Sequence, residues 1–221
     1  ADDIKLYNNS SNAVLLKEDL LAVYKWSTDW LLPLNIDKCE VLYIGKKNPK
    51  VSYYIDGTEL TKSDCCRDLG VLVNSDLSWS NQVVHVTKRA SSMLFLLSKV
   101  FCKTNPMVFL KLYKTCIRLM LEFANFAWTP VLQRNILLLE SVQRRATRIP
   151  YGRVRPNYCE RLAVMNLTTL SERRKRGDLV TAFQSLPNSQ SPIYHLFILS
   201  MDQRTRGHRF KLAKDHFITT V

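Results

Sequence analysis

The chain has 221 residues, 46% of them hydrophobic, and a formal net charge of +13. That length and apolar content can bury a core as one large domain or two small ones. With no apolar run of about eighteen residues, the sequence holds no candidate membrane-spanning helix, and a membrane partner is not expected.

In chain order, residues 1–7 mix acidic and apolar side chains and read as a hairpin tip followed by a strand. Residues 13–31 predict a helix, with Leu16, Leu20, Val23 and Trp30 near one face and Glu18 and Asp19 on the other. Pro33 is expected to end it. Strands are expected at 40–45, 51–55 and 69–73, and Asp56-Gly57 marks a hairpin turn because Gly takes positive φ without cost. Residues 1–78 therefore read as mixed α/β with antiparallel pairing. Near Trp79 the period changes. Val83, Val86, Ala90, Leu94, Leu97 and Phe101 recur every three or four residues, a helix of about five turns. Asn105-Pro106 supplies a cap and a first helical residue for the next helix. Its buried side is expected at Phe109, Leu112, Cys116 and Leu119. A third helix covers 133–148, with Ile136, Leu139, Val142 and Ala146 in step, and shorter ones follow near 157–164 and 169–186. The run 187–192 reads as a linker. There is no internal repeat.

Charge is unevenly placed. Residues 1–78 hold 9 Lys/Arg and 12 Asp/Glu, a net of −3; residues 79–221 hold 23 and 7, a net of +16. Such a basic half suits a polyanion, whose counterions Lys and Arg displace, and it suits equally a solvated basic surface. The cysteines, Cys39, Cys65, Cys66, Cys102, Cys116 and Cys159, form no CxxC pair and have no paired histidines. A zinc site is not expected, and free buried thiols in a reducing compartment are. The opening Ala1-Asp2-Asp3-Ile4-Lys5 has neither Met nor the make-up of a signal peptide and reads as part of a longer chain. Adjacent carboxylates such as Asp2 and Asp3 can hold a hard divalent cation, and they are also common in solvated turns.

The ordered segments resemble those of a known family. Ala1-Asp2-Asp3-Ile4-Lys5-Leu6-Tyr7 is similar to the catalytic motif of reverse transcriptases. Trp26-Ser27-Thr28-Asp29-Trp30 and Leu34-Asn35-Ile36-Asp37-Lys38-Cys39-Glu40 resemble the next palm motif of jockey-like elements. The stretch from Asp68-Leu69-Gly70-Val71 to Trp79 resembles the strand that grips the primer. Leu121-Glu122-Phe123-Ala124-Asn125, Trp128, the run Leu139 to Arg148, Arg173-Arg174-Lys175-Arg176-Gly177-Asp178-Leu179 and Arg204-Thr205-Arg206-Gly207-His208 resemble later segments of the same family, the non-LTR (LINE-type) retrotransposon reverse transcriptases. The order spans nearly the whole chain, which is far more specific than any single motif.

The resemblance implies an α+β fold: a truncated polymerase palm of antiparallel strands and a helix at 1–78, an all-α thumb at 79–150, and a basic helical C-terminal region and tail at 151–221. It implies a fragment of an RNA-directed DNA polymerase, a nucleotidyltransferase working by two-metal chemistry on an RNA template, a DNA primer and deoxynucleotides. Asp2 and Asp3 would hold magnesium and align the reacting groups. Lys38 would lie near the triphosphate, or be an exposed strand-edge lysine. Leu69, Gly70 and Val71 would shape the primer grip, where glycine lets backbones approach, or form an ordinary strand kink. Arg144 and Arg148 share one helix face beside Arg145 and could track phosphates bidentately, or form a solvated charged face. Arg173, Arg174 and Arg176, with Lys175, spread around a helix and read as nucleic-acid contacts or as a solubilising patch. The fingers and the third acid of the family precede Ala1, so the chain alone is expected to give no primer extension. A catalytically silent nucleic-acid-binding module is the alternative, and a helical interaction protein a third reading. The family's life cycle implies an intracellular place, nuclear or cytoplasmic.

Overall fold

The computed structural model describes residues 4–9, 12–101, 105–152, 156–200 and 210–213. The chain forms two compact units, one of Ala1–Arg89 with Pro130–Leu138 and the other of Ala90–Thr129 with Leu139–Val221. The division runs through two helices, α2 (Ser80–Val100) and α5 (Gln133–Ala146), rather than at the sequence boundaries 78 and 150. The architecture mixes α and β, in keeping with the α+β expectation.

In the first unit, α1 (Ala13–Asp29) lies against a small core of Tyr43, Tyr53, Ile55 and Leu60. Leu16, Leu20 and Tyr24, spaced four apart, supply the helix's side of that core. Trp30 does not join them: it is 68% exposed, because the helix ends one residue before it. Pro33 is not what stops α1. Leu31 takes a left-handed φ of 54°, Leu31 N–H donates to Thr28 O at 3.1 Å and Leu32 N–H to Ser27 O at 2.8 Å. That is a Schellman closure with a leucine in the glycine position.

Residues 4–9 form no strand, contrary to the expectation for 1–7. Six short strands follow: β1 (Glu40–Leu42), β2 (Tyr54–Ile55), β3 (Thr58–Glu59), β4 (Thr61–Ser63), β5 (Cys65–Asp68) and β6 (Val71–Asn74). They pair as three two-stranded sheets. β2–β3 is the hairpin expected at Asp56-Gly57, whose φ values are 48° and 75°. β5–β6 is also antiparallel. β1 and β4 are parallel, which departs from the all-antiparallel expectation. The β2–β3 hairpin acts as the crossover that brings the chain back in the same direction. The strand expected at 69–73 is displaced as well. Leu69 and Gly70 form the two-residue turn between β5 and β6, with φ of 44° and 88°, the signature of a type I′ turn. This hairpin is tied to the start of α2. The buried Gln82 accepts from Leu72 N–H at 2.9 Å, and Asn74 donates to Ser78 O at 2.8 Å and accepts from Asn81 at 2.9 Å.

The second unit is helical. After the Ala90-to-Val100 part of α2 come α3 (Pro106–Leu112), a π-helical stretch Tyr113–Arg118, α4 (Leu119–Glu122), the Leu139-to-Ala146 part of α5, α6 (Tyr158–Val164) and α7 (Leu170–Ser185). Asn105 caps α3 as expected, accepting from Met107 N–H at 2.8 Å. The buried side of α3 to α4 is Phe109, Tyr113, Ile117 and Leu121, all at 1% exposure or less, whereas Leu119 is 64% exposed. The i→i+5 bonding of the π stretch widens the turn, so inward positions recur every four residues rather than at the α-helical period. Trp128, Leu139, Val142, Ala146, Met165 and Leu170 are buried in the same unit. Leu199 and Leu212 form an isolated antiparallel bridge.

Candidate nucleic-acid interface

The second unit holds 20 Lys/Arg against 7 Asp/Glu, whereas the first holds 12 of each. The whole net charge of +13 therefore belongs to the helical unit.

α5 sets how its part of that charge is displayed. Leu139, Val142 and Ala146 are 1% exposed or less, so they fix one face inward and leave Arg144, Arg145 and Arg148 outward. Arg144 lies over the Tyr158 ring, 4.7 Å from its centroid, and Arg145 donates to Ser91 Oγ at 2.7 Å. These contacts orient the two guanidinium groups on residues that are themselves exposed, and an oriented guanidinium suits bidentate phosphate contact.

Beneath that surface is a polar network that the apolar periodicity does not reveal. Gln143, fully buried, accepts from Tyr113 Oη at 2.6 Å. Its amide nitrogen donates to Glu140 at 3.2 Å, to Tyr158 Oη at 3.0 Å and to Thr168 O at 3.0 Å. Glu140 also accepts from Tyr158 Oη and, at 3.0 Å, from Leu170 N–H at the start of α7. Burial raises the Tyr113 hydroxyl pKa strongly. Burial and then the Glu140 hydrogen bond raise that of Tyr158. Both phenols stay neutral, as donors in a low-dielectric site should. The network joins α3–α4, α5, α6 and α7 around one glutamine. The sequence signal for it is a Glu and a Gln three apart on the inward face of α5.

The arginines of α7 divide. Arg173 pairs with Glu122, its Nη2 at 3.1 Å from Oε2. Arg174 is buried, 6% exposed, donating to Leu121 O at 2.8 Å and to Asn125 Oδ1 at 3.3 Å, with its guanidinium 4.7 Å from the Trp128 centroid. Burial pulls its pKa down to about 10, so it is still charged at neutral pH. Arg174 is thus committed to the interior of its unit, while Arg173 is half-buried and held by its ion pair. Lys175 and Arg176 are exposed. The buried Arg161, which sequence reasoning passed over, likewise serves the interior, donating to Pro156 O at 2.6 Å and to Thr147 Oγ1 at 3.2 Å.

In the first unit, Lys38 is exposed at the end of a 3-10 turn, Ile36–Lys38. Leu69 is 76% exposed at the tip of the β5–β6 hairpin, next to Gly70, and Val71 is buried. Asp2 and Asp3 lie outside the described residues, as do Cys102, His208 and His216. Magnesium in the implied role would fall on Asp2 and Asp3; among the described residues, no group of three His, Cys, Asp or Glu could hold a metal ion. No helix among the described residues is long and apolar enough to cross a membrane. Comparison with known proteins found no matching family model, no matching curated protein and no matching solved structure.

Proposed function

We propose that this chain is part of an RNA-directed DNA polymerase of a non-LTR retrotransposon, in which the helical unit holds a primer–template duplex. The observation that carries the reading is the segregation of the entire +13 charge into the unit in which Arg144, on α5, and Arg148, in the turn after it, are exposed. It is supported by the ordered motifs from Asp2-Asp3 to Arg176. Magnesium on Asp2 and Asp3 would supply the nucleotidyl-transfer chemistry of the parent enzyme. Lys38 and the Leu69-Gly70-Val71 turn are the positions of the first unit that this reading assigns to the triphosphate and the primer. A catalytically silent binding module is the second reading, favoured by the placing of the basic surface in the helical unit.

The test is equilibrium binding of an RNA–DNA primer–template across a salt series. Affinity is expected to fall steeply with salt, and Arg144→Gln with Arg148→Gln to reduce the log–log slope by about 2. Salt-independent binding, or a double variant indistinguishable from the parent, sinks both readings. Asp2→Asn with Asp3→Asn separates them: binding persists in either case, but template-directed synthesis by the parent enzyme disappears only under the polymerase reading.

A further inference from the structure

Within the helical unit, α2 carries an open groove of about 400 Å³ lined by Ser91, Ser92, Phe95 and Leu96. That is the lower end of the space a small ring-bearing ligand occupies. Phe95 and Leu96 are each 59% exposed, so the groove floor is apolar surface left open to water. Lys99, one helical turn beyond Phe95, places its ammonium 5.2 Å from the centre of the ring. From α5, Arg145 reaches the same groove and donates to Ser91 Oγ at 2.7 Å. One exposed aromatic ring thus carries a cation over its face, and a second cation stands at the groove wall.

That set of groups discriminates among ligands. An acidic peptide would satisfy the two cations but has no flat ring to lay on Phe95. A duplex would offer phosphates but keeps its base faces stacked against one another. A single strand offers both, since unstacked bases lie on aromatic side chains while the backbone follows the positive charge. We propose that this groove binds single-stranded nucleic acid, with one base taking the place of the Lys99 ammonium on the Phe95 ring and the flanking phosphates on Lys99 and Arg145. The proposal rests on the reading of the helical unit as a nucleic-acid holder. It adds a site for an unpaired strand, separate from duplex contact by Arg144 and Arg148.

The test uses the full chain and fluorescence anisotropy with a labelled oligothymidylate of about 16 nucleotides, the upper site size of a typical single-strand binder, and an abasic chain of equal length. Phe95→Ala and Phe95→Leu are expected to weaken oligothymidylate binding about 5- to 160-fold, the range of one base–aromatic stack. Phe95→Tyr keeps the ring and is expected to keep the affinity. Binding of the abasic chain should be the same in all four proteins. Lys99→Gln should lower the salt slope by about 1. Because Phe95 is largely exposed, the alanine variant removes no core contact, and unchanged circular dichroism checks this. Oligothymidylate affinity equal in Phe95→Ala and the parent overturns the stacking site while leaving the duplex reading intact if the Arg144/Arg148 variant still loses affinity. Failure of the parent to bind any oligonucleotide or duplex at low salt overturns both. Binding of polyglutamate with the same dependence on Phe95 overturns the proposal in favour of an acidic protein partner.

Discussion

Gln143 shows what one buried amide costs and contributes. Four hydrogen bonds converge on it, and among its partners the buried Tyr113 hydroxyl would otherwise lose water without replacement. Gln143→Leu keeps the approximate volume but strands the Tyr113 hydroxyl and part of the Glu140 carboxylate. It is expected to destabilise the fold by about 3 kcal/mol, read as a lower urea midpoint with unchanged m; a shift under about 0.5 kcal/mol would contradict the network. The phenols add a pH dependence. Their folded pKa values lie above the unfolded ones, so the folded state holds its protons longer. Their contribution is complete below about pH 10 and is lost as pH rises through the folded values. Tyr113→Phe should flatten the alkaline fall in stability measured by urea titration at successive pH values. Thiol chemistry gives a further check. Burial, first, and the Glu40 hydrogen bond push Cys66 up to about 11, and burial raises Cys39, while Cys159 is exposed. Since the thiolate is the nucleophile, iodoacetamide at pH 8, followed by peptide mass mapping, should label Cys159 well before Cys66. Faster labelling of Cys66 would place it in a different environment.

At the scale of elements, helix ends were more legible than helix faces. Asn105-Pro106 acts in the structure as its residue types require. Asn157 with Glu160, and Thr169 with Glu172, form capping boxes whose three-residue spacing is visible in the sequence. At the α1 terminus proline is the conspicuous stop signal in the sequence, whereas the chain turns at Leu31. A non-glycine residue there costs about 1–2 kcal/mol. Leu31 is also 86% exposed, so little packing is lost on replacing it. Leu31→Gly is therefore expected to stabilise the protein by about 1 kcal/mol after the entropy cost of glycine. A lower melting temperature for this variant would refute the Schellman assignment. The inward face of α3 to α4 was misassigned for another reason. A fixed 3.6-residue period cannot anticipate a π stretch, although the apolar series Phe109, Tyr113, Ile117 and Leu121 repeats every fourth position.

At the scale of the molecule, segregation of charge is the property that bears on function. A partner held by the basic helical unit should be released by salt, and the salt series described above measures this. Composition and periodicity by themselves determined that a mixed α/β part precedes a basic helical part. They also placed the helices to within a few residues, because local hydrophobic spacing and caps act over short stretches of chain. Strand partners, the parallel β1–β4 pair and the Leu69-Gly70 turn required the tertiary structure, since short strands take their register from partners distant in sequence. So did the roles of the arginines. Arg144, Arg145 and Arg148 face outward, while Arg173 and Arg174, equally basic in the sequence, are turned to Glu122 and Trp128. Only the packing of other elements decides which cations remain for a partner, because burial, hydrogen bonding and ring contact are set by what lies across the fold.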